Sequence, residues 1–390
     1  MNAHKQLHLA TRPRWLFLIG ILSLVVWMLW PDNDNRQALH PPVIAATTSQ
    51  PCIEVRPQTA THQDAVVKKP GQHCVVSDFW QRNLSGAGHN WPGAYHHLMG
   101  VWSSNVIIDL MNHTLRADSA SSGIVIYFDG FNSKELPSNS ARNITIKNGV
   151  IDLRGSGAAV ADLYEWQLDM IDEVIPDKLK GYEKTNITLE NLLIKVNRTS
   201  IALEGDGNII RNCIIESGGN SAITLAGPNG KIINNTIILT DPFFPQWFSS
   251  GKYTDNEFTR FFEARHINRA AIVLHQGTGS IISGNRIEVK GKSPTRHNIY
   301  LTDASENVRI EGNTFVGAED PVTLVKGSTA TMKNNAFEQR KAPWWKPASE
   351  NVRIEGNTFV GAEDPVTLVK GSTATIKNNV FEQRVPWWKF

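Results

Sequence analysis

The sequence predicts an all-β protein in which a single solenoid of short, stacked strands occupies most of the chain. Two observations predict it: a repeat with a period of 22 residues, and alternation of apolar and polar residues within each repeat. Asn313, Asn335, Asn357 and Asn379 follow one another at this spacing. Alternation is typical of strands rather than helices, and short strands at a fixed period indicate coils that stack on one another.

The repeat is clearest near the carboxyl end, where a unit recurs with an offset of 44 residues. Its two copies are residues 304–347 and 348–390, and their first 37 residues differ only at Met332/Ile376 and Ala336/Val380. Each copy ends in Pro-Trp-Trp-Lys. Because these tryptophans recur with the duplicated unit, packing or end-capping is a simpler interpretation of them than a binding site.

Weaker copies of the 22-residue unit precede the duplication. Each has an alternating apolar run, an Asn or Gly and a further apolar pair, as in residues 143–151, 186–194, 208–215, 231–238 and 280–287. A second predicted strand follows in each unit, at residues 124–127, 201–204, 223–226, 272–275, 299–302, 322–325 and 366–369. The Asn positions suit turns with positive φ, where Asn is tolerated, and amide ladders along the stack.

One segment resembles a known family. Residues 105–115 read NVIIDLMNHTL, similar to the N-V-x-I/L-D-L-N-G-H-x-I segment of right-handed parallel β-helix proteins of the pectate-lyase-like superfamily. Met111 and Asn112 stand where that family has Asn-Gly. With the repeats, the resemblance covers about residues 74 to 384 and implies one right-handed parallel β-helix over 74–390. It implies no single activity, because the superfamily includes lyases, hydrolases, epimerases and phage spikes.

The amino-terminal part predicts a membrane anchor. Residues 15–30 contain no charged side chain, have tryptophans at both ends, and follow a basic segment, residues 1–14. Basic residues favour the cytoplasmic side, and no small-x-small cleavage site follows the run. We therefore expect a transmembrane helix over 15–30, a flexible tether over 31–73, and a single-pass protein of a bacterial inner membrane whose carboxyl-terminal domain lies in the periplasm.

The cysteines fit an exported domain. Cys52 and Cys74 bracket the end of the predicted tether, and a disulfide between them would form in an oxidising compartment. Cys213 lies in an apolar repeat segment and is predicted to be a buried small hydrophobe.

The charge balance sets limits on partners and cofactors. The chain carries 39 basic and 37 acidic residues, so it has no strongly basic surface for nucleic acid. His89, His96 and His97 have no metal-ligand spacing, and the sequence predicts neither a metal nor a cofactor.

Insertions interrupt the period in the amino-terminal and middle coils. Three are predicted to enter just before a second strand, at residues 158–182, 241–268 and 291–297. Loops of this length usually carry function, although they could also cap the sides of the solenoid or bind a partner.

The outward face of the second strands holds the candidate catalytic residues. Glu204 and His275 occupy equivalent positions two coils apart, and Asp206 shares a face with Glu204 if the strand continues. Paired carboxylates serve as acid and base in glycoside hydrolysis, and a histidine serves as a general base. The alternatives are that Asp206 makes a turn before Gly207 and that His275 is a hydrogen-bonded surface residue.

Beside this face, the sequence places candidate groups for binding sugar. Arg198, Arg269 and Arg296 form one column next to Tyr300, and guanidinium groups bind carboxylates bidentately. Trp247 and Tyr253 in the largest insertion offer aromatic faces to sugar rings. The alternatives are solvated turn arginines and aromatic residues that pack the loop onto the coil.

Together these features predict a membrane-anchored, extracytoplasmic β-helix that binds or modifies an acidic polysaccharide by lyase, hydrolase or epimerase chemistry. The alternative is a carbohydrate-binding or structural scaffold of the cell envelope without catalysis. The absence of the polygalacturonase and mannuronan-epimerase motifs favours the alternative, whereas the loops and polar residues gathered on one face favour an active site.

Overall fold

A computed structural model of the chain describes fifteen ranges of residues. They are 51–57, 65–81, 96–118, 121–127, 141–154, 158–162, 184–219, 221–240, 270–290, 297–302, 305–318, 320–325, 327–338, 352–360 and 373–382. The chain divides into two compact units, Met1–His40 and Pro41–Phe390, and all the described residues belong to the second. They fold into a right-handed parallel β-helix, the fold that the repeats and the family resemblance together implied.

A full coil contains three strands rather than the two that the sequence indicated. Each alternating run with a central Asn or Gly bends at that residue and contributes to two faces of the solenoid. Sheet I, which takes the first part of each run, begins with strands Ile53–Val55 (β1), Gly71–Val75 (β3) and Val106–Asp109 (β6), followed by the first halves of Ile144–Leu153 (β9) and Ile187–Val196 (β11). It continues with Ile209–Arg211 (β13), Lys231–Ile233 (β16), Ile281–Ser283 (β19), Val308–Glu311 (β22), Ala330–Lys333 (β25), Val352–Glu355 (β27) and Ala374–Lys377 (β29).

Sheet II takes the second part of each run, after the bend. Its strands are Phe79–Gln81 (β4), Thr114–Ala117 (β7), the second halves of β9 and β11, Ile214–Ser217 (β14), Thr236–Leu239 (β17), Arg286–Val289 (β20), Thr314–Val316 (β23), Ala336–Glu338 (β26), Thr358–Val360 (β28) and Val380–Glu382 (β30). Strands β9 and β11 run without a break through the bend, so sheets I and II are joined there.

Sheet III is separate and contains the predicted second strands. Its strands are Ala65–Val67 (β2), His96–Val101 (β5), Ser121–Ile126 (β8), Val160–Ala161 (β10), Ile201–Glu204 (β12), Ser221–Ala226 (β15), Ala270–His275 (β18), His297–Leu301 (β21) and Asp320–Leu324 (β24). All the pairings are parallel, and the outer face of this sheet carries the candidate site.

The core forms because equivalent apolar residues stack from coil to coil. In sheet III, Ile201 pairs with Ile223 and Leu203 with Leu225, and all four side chains are buried. In the duplicated region, Phe315, Phe337 and Phe359 stack with ring centroids 4.9 and 4.7 Å apart. No single coil could bury these side chains alone, so stability depends on contacts between neighbouring coils.

Two neighbouring positions of the repeat have the two roles that the sequence analysis assigned to one asparagine, the turn with positive φ and the amide ladder. Asn334 and Asn378 have positive φ, as do Gly312 and Gly356 at the same place in neighbouring coils. The next residue in each coil points inward and forms a buried amide ladder. The ladder consists of Asn235, Asn285, Asn313, Asn335, Asn357 and Asn379.

The solenoid begins earlier than predicted. Strands β1 and β2 lie inside the segment predicted as a tether, and β1 pairs with β3 of the next coil. The structure joins Cys52 and Cys74 by a disulfide, with Cα atoms 5.7 Å apart. The alternating Ile-Glu-Val after Cys52 fits a short edge strand.

We expect Cys52 and Cys74 to be resistant to thiol reagents in protein purified without reductant. Reduction should lower the free energy of unfolding by about 3 kcal/mol, because the bond closes a short loop in the unfolded chain. Thiol titration under denaturing conditions, followed by urea unfolding with and without reductant, measures both effects. Buried Cys213 should be the single reactive thiol after denaturation; three reactive thiols would contradict the prediction.

One predicted insertion lies elsewhere than expected. Residues 158–182 were predicted to precede a second strand, but Val160–Ala161 is itself the sheet III strand of that coil. Therefore the interruption at residues 163–183 follows the strand instead of preceding it. The predicted transmembrane segment, residues 15–30, lies outside the described residues, and no helix within the described ranges is long and apolar enough to cross a membrane.

Candidate active site

The outer face of sheet III is arranged in two columns of side chains along the solenoid axis. In the first column Glu204 pairs with Ala226, and Ala226 pairs with His275. At about 4.8 Å per coil, Glu204 and His275 are separated by about 10 Å at the backbone. This is the register that the sequence predicted, with Ala226 between Glu204 and His275.

A second carboxyl group lies beside Glu204. Asp162 follows β10 on the preceding coil, and its two carboxylate oxygens accept hydrogen bonds from the backbone N–H of Glu204, at 2.8 and 3.0 Å. Asp162 is half-buried by the surrounding chain, as is Glu204. The structure therefore places the Asp162 carboxylate against the backbone of Glu204, a residue 42 positions later in the sequence.

The surroundings raise the pKa values of both carboxyl groups. Burial raises the pKa of Asp162 well above its ordinary value, and repulsion from the Glu204 carboxylate raises it further. Burial also raises the pKa of Glu204. Since the charge of Glu204 acts on Asp162, we infer that Glu204 ionises first and that Asp162 holds its proton to higher pH.

His275 differs from a typical general base. Its side chain is buried, and burial lowers the pKa of its imidazole from 6.5 to about 4. The ring is therefore neutral at neutral pH and is a weak base. A group with so low a pKa accepts a proton weakly, so the role of general base that the sequence suggested stays a prediction.

We expect the His275 imidazole to remain neutral down to about pH 5, which titration by NMR of the ring protons would measure. Because the pKa of His275 is lower in the folded state than in the unfolded state, the protein loses stability as the pH falls from 6.5 toward about 4. Above pH 6.5 this loss is absent. His275→Gln should remove that part of the acid sensitivity of unfolding. A folded-state pKa near 6.5 for His275 would contradict this.

Asp206 does not share the face of Glu204. Strand β12 ends at Glu204, and the chain then turns through Gly205 and Gly207, which have φ of 104° and 85°. The Asp206 carboxylate accepts a hydrogen bond from Asn229 Nδ2 at 2.8 Å, on the turn that leads into sheet I. The strand does not continue to Asp206, because glycines with positive φ end it at Glu204; Asp206 lies in a turn, the alternative that the sequence analysis gave.

The predicted binding residues are only partly described. Arg198 is half-buried at the corner between sheets II and III, and its carbonyl oxygen accepts a hydrogen bond from Ser217 at 2.5 Å. Tyr300 is half-buried on the outer face of sheet III, and its ring centroid is 5.4 Å from that of His297. Arg269, Arg296, Trp247 and Tyr253 lie outside the described residues.

Further polar groups line the second column of the face. Thr224 and Ser221 share a hydrogen bond of 2.6 Å between their hydroxyls, and Thr323 bonds to His297 Nδ1 at 2.7 Å. Thr224, Val273, Tyr300 and Thr323 follow one another in this column. In the part of the chain that the structure describes, no group of three or more His, Cys, Asp or Glu side chains could hold a metal ion.

Asp162 was missed by the sequence analysis. Its strand has only two residues, Val160 and Ala161, and therefore lacks the four-residue alternation of the other second strands. A signal was present: 43 residues separate the paired positions Gly149 and Leu192, which leaves room for one complete coil. A full coil requires a strand in sheet III, and the apolar segment available for it is Ala-Ala-Val-Ala at residues 158–161.

Comparison with known proteins identifies the fold. A family model described as "Right handed beta helix region" matches residues 180–346 and 293–385. No curated protein shows significant similarity to the sequence.

Solved structures give distant matches. The enzymatically active domain of tailspike protein 2 from bacteriophage CBA120 is 11% identical, with a TM-score of 0.43; the match covers 84% of this chain and 47% of that one. The chain thus spans about half the length of that tailspike domain. The A-module of the Azotobacter vinelandii mannuronan C-5 epimerase AlgE4 is 12% identical, covering 80% and 87% of the two chains with a TM-score of 0.34. A double mutant of the periplasmic alginate epimerase AlgG is 9% identical, covering 83% and 79% with a TM-score of 0.28.

Proposed function

The chain belongs to the right-handed β-helix family, and we propose that it binds an acidic polysaccharide along sheet III and hydrolyses it with Asp162 and Glu204. The observation that carries the proposal is the contact between these two residues on adjacent coils, with the pKa of each carboxyl raised by burial. Glycoside hydrolysis uses one protonated and one ionised carboxyl group near the scissile bond, and Asp162 and Glu204 are the candidates for this pair.

The two carboxyl groups have different roles in this proposal. Asp162 keeps its proton to higher pH and donates it to the glycosidic oxygen as the bond to the leaving sugar breaks. Glu204 is ionised and either takes a proton from the attacking water or attacks the sugar directly. In both cases one water is consumed, and the proton lost from Asp162 is restored by the end of the cycle. Neutral His275 hydrogen-bonds a hydroxyl of the bound sugar.

A hydrolase fits the described residues better than a lyase does. A lyase removes a proton beside a carboxylate, which needs a strong base and a cation next to the substrate. His275 is a weak base because of its low pKa, and the residues in contact with Glu204 include an acid rather than a cation. We therefore place hydrolysis ahead of lyase or epimerase chemistry.

The preference for acidic polysaccharide rests on the predicted arginine column. We expect Arg269→Ala combined with Arg296→Ala to weaken binding of an acidic glycan by about 1–3 kcal/mol and to reduce the salt dependence of binding, since charge-assisted hydrogen bonds are lost. Isothermal titration calorimetry at two salt concentrations measures both effects. Arg309→Ala on sheet I is the matched control, because it removes an exposed arginine from another face. Unchanged affinity in the double variant would contradict an acidic substrate.

The proposal also includes where in the cell the protein lies. A membrane anchor over residues 15–30 would hold the β-helix in the periplasm, where the Cys52–Cys74 disulfide could form. A reporter fused after Phe390 should then be active only outside the cytoplasm. Activity confined to the cytoplasm would contradict this placement.

The experiment that tests the proposed function is a glycan array with product detection, using the purified protein. Binding with release of shortened products supports a hydrolase, and unsaturated products would indicate a lyase. Binding without any product would favour the second candidate, a non-catalytic scaffold, for which the regular Asn and Phe ladders of the carboxyl-terminal coils argue. A failure to bind any glycan would overturn both.

A further inference from the structure

Three rings lie on the outer face of sheet III before the carboxyl pair. Trp102 and Tyr127 occupy the column of Glu204 on earlier coils, since Val101 pairs with Ile126 and both Ile124 and Ile201 pair with Val160. Tyr127 is therefore two coils before Glu204, and Trp102 is three coils before it. At about 4.8 Å per coil, the rings begin about 10 Å from Glu204 along the axis.

The rings are held in a fixed arrangement. Trp102 and Tyr127 are stacked with centroids 4.0 Å apart and planes 6° apart. The Tyr127 hydroxyl is hydrogen-bonded to His97 Nδ1 at 3.1 Å, and the His97 ring meets the Tyr127 ring edge-on. All three side chains are half-buried, so they cover the outer surface of the coils instead of filling the core.

Gly100 allows the rings to lie against the strand. A Cβ atom at this position would be 2.8 Å from His97 Nε2 and 3.0 Å from Trp102 Nε1. Any side chain at residue 100 would therefore push both rings away from the backbone. The sequence combines a glycine with flanking aromatic residues at the point where the face is extended toward the amino terminus.

We propose that His97, Trp102 and Tyr127 form a sugar-binding subsite for the polysaccharide that reaches the Asp162–Glu204 pair. This inference rests on the proposed function. The apolar face of a sugar ring packs on aromatic rings, and rigid rings lose little entropy when the sugar binds. A second ring pair, His297 and Tyr300, lies at the other end of the face. Tyr127 and Tyr300 are five coils apart. This distance is about 24 Å and accommodates a glycan of several units.

If these rings bind sugar, only longer glycan chains should reach them. A short oligosaccharide bound at Asp162 and Glu204 does not reach Trp102, which is about 14 Å away along the axis, whereas a longer one does. Loss of the ring platform should therefore weaken the binding of long chains more than the binding of short ones.

The test measures the affinity of Glu204→Gln protein for oligogalacturonate and alginate oligosaccharides of two to eight units by calorimetry. Adding Trp102→Ala or Gly100→Ala should weaken binding of the octasaccharide by about tenfold, the loss expected from one aromatic contact. Gly100→Ala removes no ring and displaces two, so it tests the platform without deleting a large side chain. Trp80→Ala is the matched control: Trp80 is exposed on sheet II, bonded to Asp118, and its loss should not change affinity.

The outcomes separate this inference from the proposed function. If Glu204→Gln abolishes turnover while Trp102→Ala and Gly100→Ala bind the octasaccharide as Trp80→Ala does, the subsite is overturned and the hydrolase proposal stands. If Glu204→Gln retains turnover, or if no oligosaccharide binds the parent protein, the proposed function fails and the subsite fails with it.

Discussion

Glu204→Gln is expected to reduce the turnover of the polysaccharide by about 10²–10⁴-fold, because the amide can neither accept a proton from water nor attack the sugar. The substitution keeps the shape of the side chain and leaves intact the hydrogen bonds from the Glu204 backbone N–H to Asp162. Binding should therefore persist while turnover is lost. Product release from the glycan identified on the array, measured at several substrate concentrations, separates kcat from KM.

The pH profile provides a further readout of the same pair. Activity requires an ionised Glu204 and a protonated Asp162, so it should fall at low pH as Glu204 is protonated and at high pH as Asp162 loses its proton. Asp162→Asn should lower kcat and remove the high-pH limb, because the pKa that sets that limb belongs to Asp162. Asp206→Asn is the matched control, since Asp206 lies beyond the turn and bonds to Asn229. Equal losses in Asp206→Asn and Glu204→Gln would contradict the assignment.

Asn335→Ala is expected to lower the free energy of unfolding by roughly 3–5 kcal/mol, the largest effect we expect on stability. The Asn335 side chain accepts hydrogen bonds from the backbone and side-chain nitrogens of Asn313 and donates to Asn357 and to the carbonyl oxygen of Ile310. Alanine leaves several of these buried groups without partners. Urea unfolding followed by circular dichroism measures the change.

The adjacent residue provides the control for the ladder. Asn334 is exposed and has φ of 55°, a conformation that glycine adopts freely. Asn334→Gly should therefore change the free energy of unfolding by less than about 1 kcal/mol. If Asn334→Gly were as destabilising as Asn335→Ala, the ladder would not be the reason for the loss.

Much of the fold could be predicted from the sequence because a solenoid is a local structure repeated. The 22-residue period, the alternation and the Asn positions each reflect contacts between neighbouring coils, so every coil carries the same signal. The stacked core of Ile201, Leu203 and their neighbours, and the register of Glu204 with His275, follow from the same count. The third strand per coil was not apparent, because the bend at positive-φ Asn148 adds only one residue to the alternation and Ile144–Leu153 continues through it as one strand.

The candidate site depended on features that have no repeating pattern. Asp162 follows a strand of only two residues, and its contact with Glu204 forms because the intervening segment returns the chain to the next coil in register. The separation of Asp206 from Glu204 depends on the conformation of two glycines. The sequence by itself thus determined the solenoid, its core and which face carries polar groups, since these follow from period and polarity. Only the tertiary structure decided which carboxyl groups meet and how burial changes their pKa values, because proximity and desolvation arise from the packing of residues distant along the chain.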